Sequence, residues 1–130
     1  MDRDSERDIA TLQGVWEQVA LAVDGVANPP GNHGHGALTT IVGDRFEVCM
    51  LDGTVLLAGA FTLDASTLPK SITWIDSMGE DMGKRLPAIY ELDGDQFVFV
   101  AGNEGAPRPD AFTTTQGQTM RRFVRRTTTT

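Results

Sequence analysis

Phe46-Glu47-Val48-Cys49-Met50-Leu51-Asp52-Gly53-Thr54-Val55-Leu56-Leu57-Ala58-Gly59-Ala60-Phe61-Thr62-Leu63 is the stretch that decides the fold. Phe46, Val48 and Met50 alternate with Glu47 and Cys49. Beyond Asp52-Gly53, Val55, Leu57, Gly59, Phe61 and Leu63 keep the same period of two. Successive side chains of a strand point to opposite faces, so each run reads as a strand with an apolar face. Asp-Gly supplies the backbone freedom of a tight hairpin, so the two runs pair antiparallel. Gly59 inside the second run marks a bend or bulge.

The same alternation extends in both directions. Val19, Leu21 and Val23 alternate with Ala20 and Ala22 ahead of Asp24-Gly25, and a longer loop follows from Val26 to Gly36. Ile72 and Trp74 form a strand after Pro69, Leu86 to Leu92 form the next before Asp93-Gly94, and Gln96 to Ala101 return on it. An irregular stretch containing Pro107 and Pro109 precedes a last strand over residues 118 to 126. Ahead of all of them, residues 5 to 12 read as a short helix with Ser5 as its N-cap and Ile9 and Leu12 on one face. About eight strands joined in chain order describe an up-and-down antiparallel sheet, and closure into a barrel removes its edges. The expected fold is all-β: an eight-stranded antiparallel barrel with a short N-terminal helix, one domain over residues 1–126 and a frayed tail over 127–130. A β-sandwich is the competing architecture, against which the meander order and the opening helix count.

Composition narrows the function classes. The chain has 130 residues, enough for one core, and a formal charge of 11 − 18 = −7. The charge is uneven: all eighteen acids lie within residues 1 to 120 with seven Lys/Arg, while residues 121 to 126 hold four Arg. Phosphate repulsion makes such an acidic body a poor nucleic-acid binder. No apolar run approaches the roughly 20 residues of a membrane-spanning helix. The charged start, Met1 to Asp8, has no apolar segment of a secretory signal, so a cytoplasmic location is expected. Cys49 is the one cysteine, which excludes an intrachain disulfide, and with no His or basic neighbour in sequence it reads as a small hydrophobe.

Gly14-Val15-Trp16, directly after the helix, resembles the G-x-W signature of the calycin superfamily, the lipocalins and their relatives. Further blocks follow in order: Val23-Asp24-Gly25, Gly43-Asp44-Arg45-Phe46, Gly59-Ala60-Phe61-Thr62-Leu63-Asp64, Pro69-Lys70-Ser71-Ile72, Ile89-Tyr90-Glu91-Leu92-Asp93-Gly94-Asp95, and Arg108-Pro109 with Phe112. Together they are similar to a small bacterial lipocalin-like domain family over roughly residues 8 to 126. The resemblance implies the barrel and carries over no catalytic residue. It also implies that Trp16 closes the narrow end with an arginine of the last strand across its ring, for which Arg125 is the choice. Pro87-Ala88, where that family usually has a glycine, and the aromatic strand Gln96 to Ala101 are departures that could reshape the interior.

Candidate chemistry is sparse. His33 and His35 could supply two imidazole ligands, but nothing identifies a third and their Pro- and Gly-rich loop would not aim them, so no metal site is assigned. Glu80-Asp81 and Asp93/Asp95 fall in expected turns, where acids are the ordinary choice. Motifs for nucleotide, structural zinc or hydrolase chemistry are missing, and no catalytic residue or cofactor is expected. Phe46, Phe61, Trp74, Tyr90, Phe97, Phe99, Phe112 and Phe123 lie on or near strands; they either fill a packed core or wall a pocket. In the pocket reading Trp74, Tyr90 and Phe99 are walls, and the Tyr90 hydroxyl and Arg108 orient a ligand. Arg121 and Arg125 have one parity, Arg122 and Arg126 the other, so at least one set faces solvent. The expected function is non-catalytic binding of a small apolar or amphipathic molecule. The alternative is an interaction or scaffold domain, such as a homodimer, whose barrel is filled and whose outer face carries a partner, since apolar residues occupy both faces at Leu56-Leu57 and Val98-Phe99. A barrel cyclase or isomerase working by shape comes third.

Overall fold

The computed structural model describes residues 3–27, 37–50, 52–79 and 82–126. Helix α1 (Arg3–Leu12) precedes nine strands: β1 (Gly14–Val23), β2 (Val26–Ala27), β3 (Leu38–Val42), β4 (Arg45–Cys49), β5 (Val55–Asp64), β6 (Lys70–Asp76), β7 (Arg85–Asp93), β8 (Gln96–Ala101) and β9 (Thr119–Arg125). From β3 to β9 each strand pairs antiparallel with the next, and β1 joins β3 on one side and β9 on the other. Trp16 stands opposite Arg125 and Val23 opposite Thr119. Eight strands therefore close a barrel without a β-sandwich's open edges. The two-residue β2 is added at the end of β1, so Val26 and Ala27, expected to open a loop, instead pair with Val23 and Ala22.

The deciding hairpin forms as β4 and β5. Its turn places Gly53 at φ 93° and closes with Met50 N–H donating to Thr54 O at 2.8 Å. The expected bulge at Gly59 is displaced: register shifts between Val48 and Cys49, whereas Gly59 stays in step opposite Phe46 and Asp76. Close approach is what requires this glycine. A Cβ there would stand 2.2 Å from Ile75 O and 2.8 Å from the Phe46 ring.

One end of the barrel is closed by α1. Ser5, Asp8 and Leu12 are buried on one helix face. The helix begins at Arg3, so Ser5 lies inside it and is not its N-cap; its Oγ accepts instead from Ala65 N–H at 2.8 Å. The Asp8 carboxylate accepts from Tyr90 Oη at 2.7 Å and Lys70 Nζ at 3.0 Å, both at Oδ2. Trp16, fully buried, donates Nε1–H to Leu12 O at 2.8 Å. Arg125 Cζ lies 4.3 Å from the centre of a Trp16 ring, and its guanidinium also donates to Thr11 O, Gln13 O and Asp95 Oδ1. A guanidinium over an indole contributes about 0.5–2 kcal/mol.

Residues 102–118 form a strap on the outside. Arg108 donates to Ile72 O, Ala88 O and Thr73 Oγ1 on β6 and β7, while Thr114 Oγ1 accepts from Gly25 N–H after β1. Those anchors lie on either side of β8 and β9 in the order of the barrel. Ile89, Val98 and Val100 have outward parity and are nonetheless buried. Arg108 also flanks Pro87, which pairs with Thr73 and has no N–H for the ladder.

Candidate functional site

A cavity of about 420 Å³ occupies the barrel, within the size range of small-molecule sites. Trp16 belongs to its floor, above α1, and Leu56, Leu86, Asn103 and Thr119 belong to the end where β5, β7 and β9 begin. Its walls are largely aromatic: Phe46, Trp74, Phe97, Phe99 and Phe123 contribute rings. Phe123 stacks with Phe97 and Phe99 at centroid separations of 5.7 and 5.9 Å. Trp74 packs edge-on to Phe46 at 5.1 Å and tilts against Phe99 at 4.9 Å. Aromatic rings pack favourably in such tilted and offset arrangements.

The strand pairings set this wall. Phe97 and Phe99 of β8 stand opposite Phe123 and Arg121 of β9, so inward parity brings the ring stack and an arginine into the same surface. Arg121 lines the cavity together with Gln18, and its Nη1 donates to Gln18 Oε1 at 2.8 Å. Burial pulls the Arg121 guanidinium below its ordinary pKa, because desolvation penalises its charge. Among the described residues it forms no ion pair. Arg122 and Arg126, of the opposite parity, are exposed. Asp76, buried on β6, is the other ionisable residue of the lining among the described residues.

Of the four expected ligand contacts, the structure brings Trp74 and Phe99 together on the cavity wall. Tyr90 is beneath the floor, its hydroxyl on Asp8, and Arg108 is outside the barrel on main-chain carbonyls. Gln18, Asp76 and Arg121, which line the cavity with the smaller polar residues Thr39, Asn103 and Thr119, were not expected as ligand contacts from sequence. The signal for Arg121 was its shared parity with Phe123. Asp93 is exposed at the end of β7, and Asp95 accepts from Arg125 Nε at 3.0 Å. His33, His35, Glu80, Asp81 and the tail 127–130 lie outside the described residues. Among the described residues no helix is long and apolar enough to cross a membrane. Comparison of the chain with known protein families, curated proteins and solved structures found no match.

Proposed function

We propose that this protein is a non-catalytic, lipocalin-like binder of a small apolar or amphipathic molecule held inside the barrel. The observation that carries the reading is the cavity of about 420 Å³ bounded by aromatic rings. An eight-stranded barrel can be filled by its own side chains or hold one small ligand, and a space of this size supports the second arrangement. Apolar area removed from water there stabilises a complex by roughly 25 cal/mol per Å² before the costs of association.

The test is thermal denaturation against a library of small lipophilic molecules. A ligand at about 100 times its Kd stabilises the native state by about 2.7 kcal/mol, which raises Tm by several degrees in a domain of this size. At least one compound is expected to give such a shift and to change tryptophan fluorescence. A library that produces neither effect removes the proposal.

A second reading is an interaction domain. It is supported by Met50, Val55 and Leu56, exposed by 48%, 41% and 44% around the β4–β5 hairpin. Self-association through that hairpin predicts a concentration-dependent homodimer in sedimentation, lost in Leu56→Lys. The other doubly apolar pair, Val98-Phe99, gives no free outer face, since Val98 is buried.

A further inference from the structure

We infer that the cavity is specific for an aromatic monocarboxylate, with the carboxylate on Arg121 and the flat body against Phe97, Phe99 and Phe123. This deepens the binding reading above and rests on it. Among the described residues Arg121 is the only arginine lining the cavity, and its guanidinium carries five N–H donors in a planar fork. It makes one hydrogen bond among the described residues, to Gln18 Oε1. A desolvated cation is costly unless it is paired, and a planar carboxylate matches the fork with two parallel, charge-assisted hydrogen bonds. Low local polarity strengthens that pairing relative to water.

The walls select the rest of the molecule. Arg121 is opposite Phe99 and two residues from Phe123 on the same face of β9, so a carboxylate on the guanidinium starts directly beside the ring stack. A flat ring system attached to that carboxylate continues the stacking, which a flexible chain does not. Scaled from an apolar cavity of about 150 Å³ that holds benzene, the volume suits about 15 non-hydrogen atoms, or two fused rings with a carboxylate. Asp76 stands on β6, separated from β9 by β7 and β8, so the described lining offers one cationic seat and therefore selects one carboxylate. Arg121, Arg122, Arg125 and Arg126 locally offset the acidic body that would otherwise repel an anion.

The experiment uses 2-naphthoate and its uncharged near-isostere 2-acetylnaphthalene, titrated calorimetrically into the protein and into Arg121→Gln and Arg121→Lys. The wild-type protein is expected to prefer naphthoate at least tenfold. Arg121→Gln abolishes the preference while still binding acetylnaphthalene, and Arg121→Lys keeps part of it. Decanoate, with the same head on a flexible chain, binds several-fold more weakly than naphthoate. Since Arg121 is a desolvated charge, Arg121→Gln is expected to melt no lower than wild type; the wild-type comparison of the two naphthalenes stands even if a variant fails to fold. Equal affinity for the two naphthalenes, or a preference that survives in Arg121→Gln, overturns the carboxylate seat and leaves the binding reading standing. Decanoate binding as tightly as naphthoate overturns the aromatic part. Absence of binding by all three probes overturns the inference, and the binding reading falls separately only if the lipophilic library also fails.

Discussion

The two tryptophans of the barrel are satisfied differently. Trp16 gives its N–H to Leu12 O and its ring face to Arg125, whereas Trp74 Nε1 is buried with no hydrogen-bond partner among the described residues, surrounded by Phe46, Phe61 and Phe99. At Gly59 the constraint is steric. Gly59→Ala forces a methyl group into Ile75 O and the Phe46 ring, and urea denaturation is expected to show a loss of about 3 kcal/mol or more. Sequence marked this glycine as special, but alternation along one strand cannot reveal that a neighbouring strand's carbonyl presses against it. Cys49 offers a chemical readout. Its thiol donates to Glu47 Oε1 at 3.2 Å, and that hydrogen bond, with burial and the carboxylate's charge, pushes its pKa up. Alkylation by iodoacetamide at mildly alkaline pH is therefore expected to be slower than that of a free thiol, and Glu47→Gln to accelerate it.

Helix α1 and the strap are fastened to the barrel by polar contacts. Tyr90→Phe removes one of the two side-chain donors to Asp8 among the described residues and is expected to cost about 2 kcal/mol; Asp8→Ala strips the acceptor from both Tyr90 and Lys70 and costs more, about 3 kcal/mol. Combined, the two substitutions cost less than their sum, because they remove the same hydrogen bond, and a double-mutant cycle in urea measures the difference. Arg108→Ala releases the strap from Ile72, Thr73 and Ala88; faster amide exchange over residues 102–118 is the expected result, and Arg108→Lys does not restore protection because it lacks the fork. Most of the strands were legible because Asp-Gly or Pro announces their turns and alternation their faces; β3, which turns at Gly43-Asp44, was not read as a strand, and neither Asp-Gly nor Pro marks the connection between β6 and β7. The destinations of Tyr90 and Arg108 were not legible either. Tyr90 has the inward parity expected, but only the position of α1 determines that its end of the barrel is the capped one. The route of the strap, which takes Arg108 outside, has no periodicity to read.

At the scale of the whole molecule, the sequence left open whether eight aromatic residues fill the barrel or surround a space, because strand patterning sets direction and not the curvature that decides interior volume. The barrel encloses about 420 Å³. Filling part of that volume from the wall is expected to trade uptake for stability: Ala101→Leu should raise the unfolding free energy by about 1 kcal/mol and weaken any ligand that occupies the cavity, read by urea denaturation and calorimetry on the same protein. The pairing of β1 with β9 has a different consequence. It joins segments far apart in the chain, Gln18 and Arg121 being 103 positions apart, so the last rung of the ring cannot be found by local search. Hairpins such as β4–β5 can zip on the order of microseconds, but a topology completed by so distant a contact folds on the order of milliseconds to seconds. Until that seam shuts, a nascent barrel carries two bare edges, and the hours of a crowded refolding experiment are decided in that interval: dilution should favour closure, and concentration should favour one chain's β9 finding another's β1.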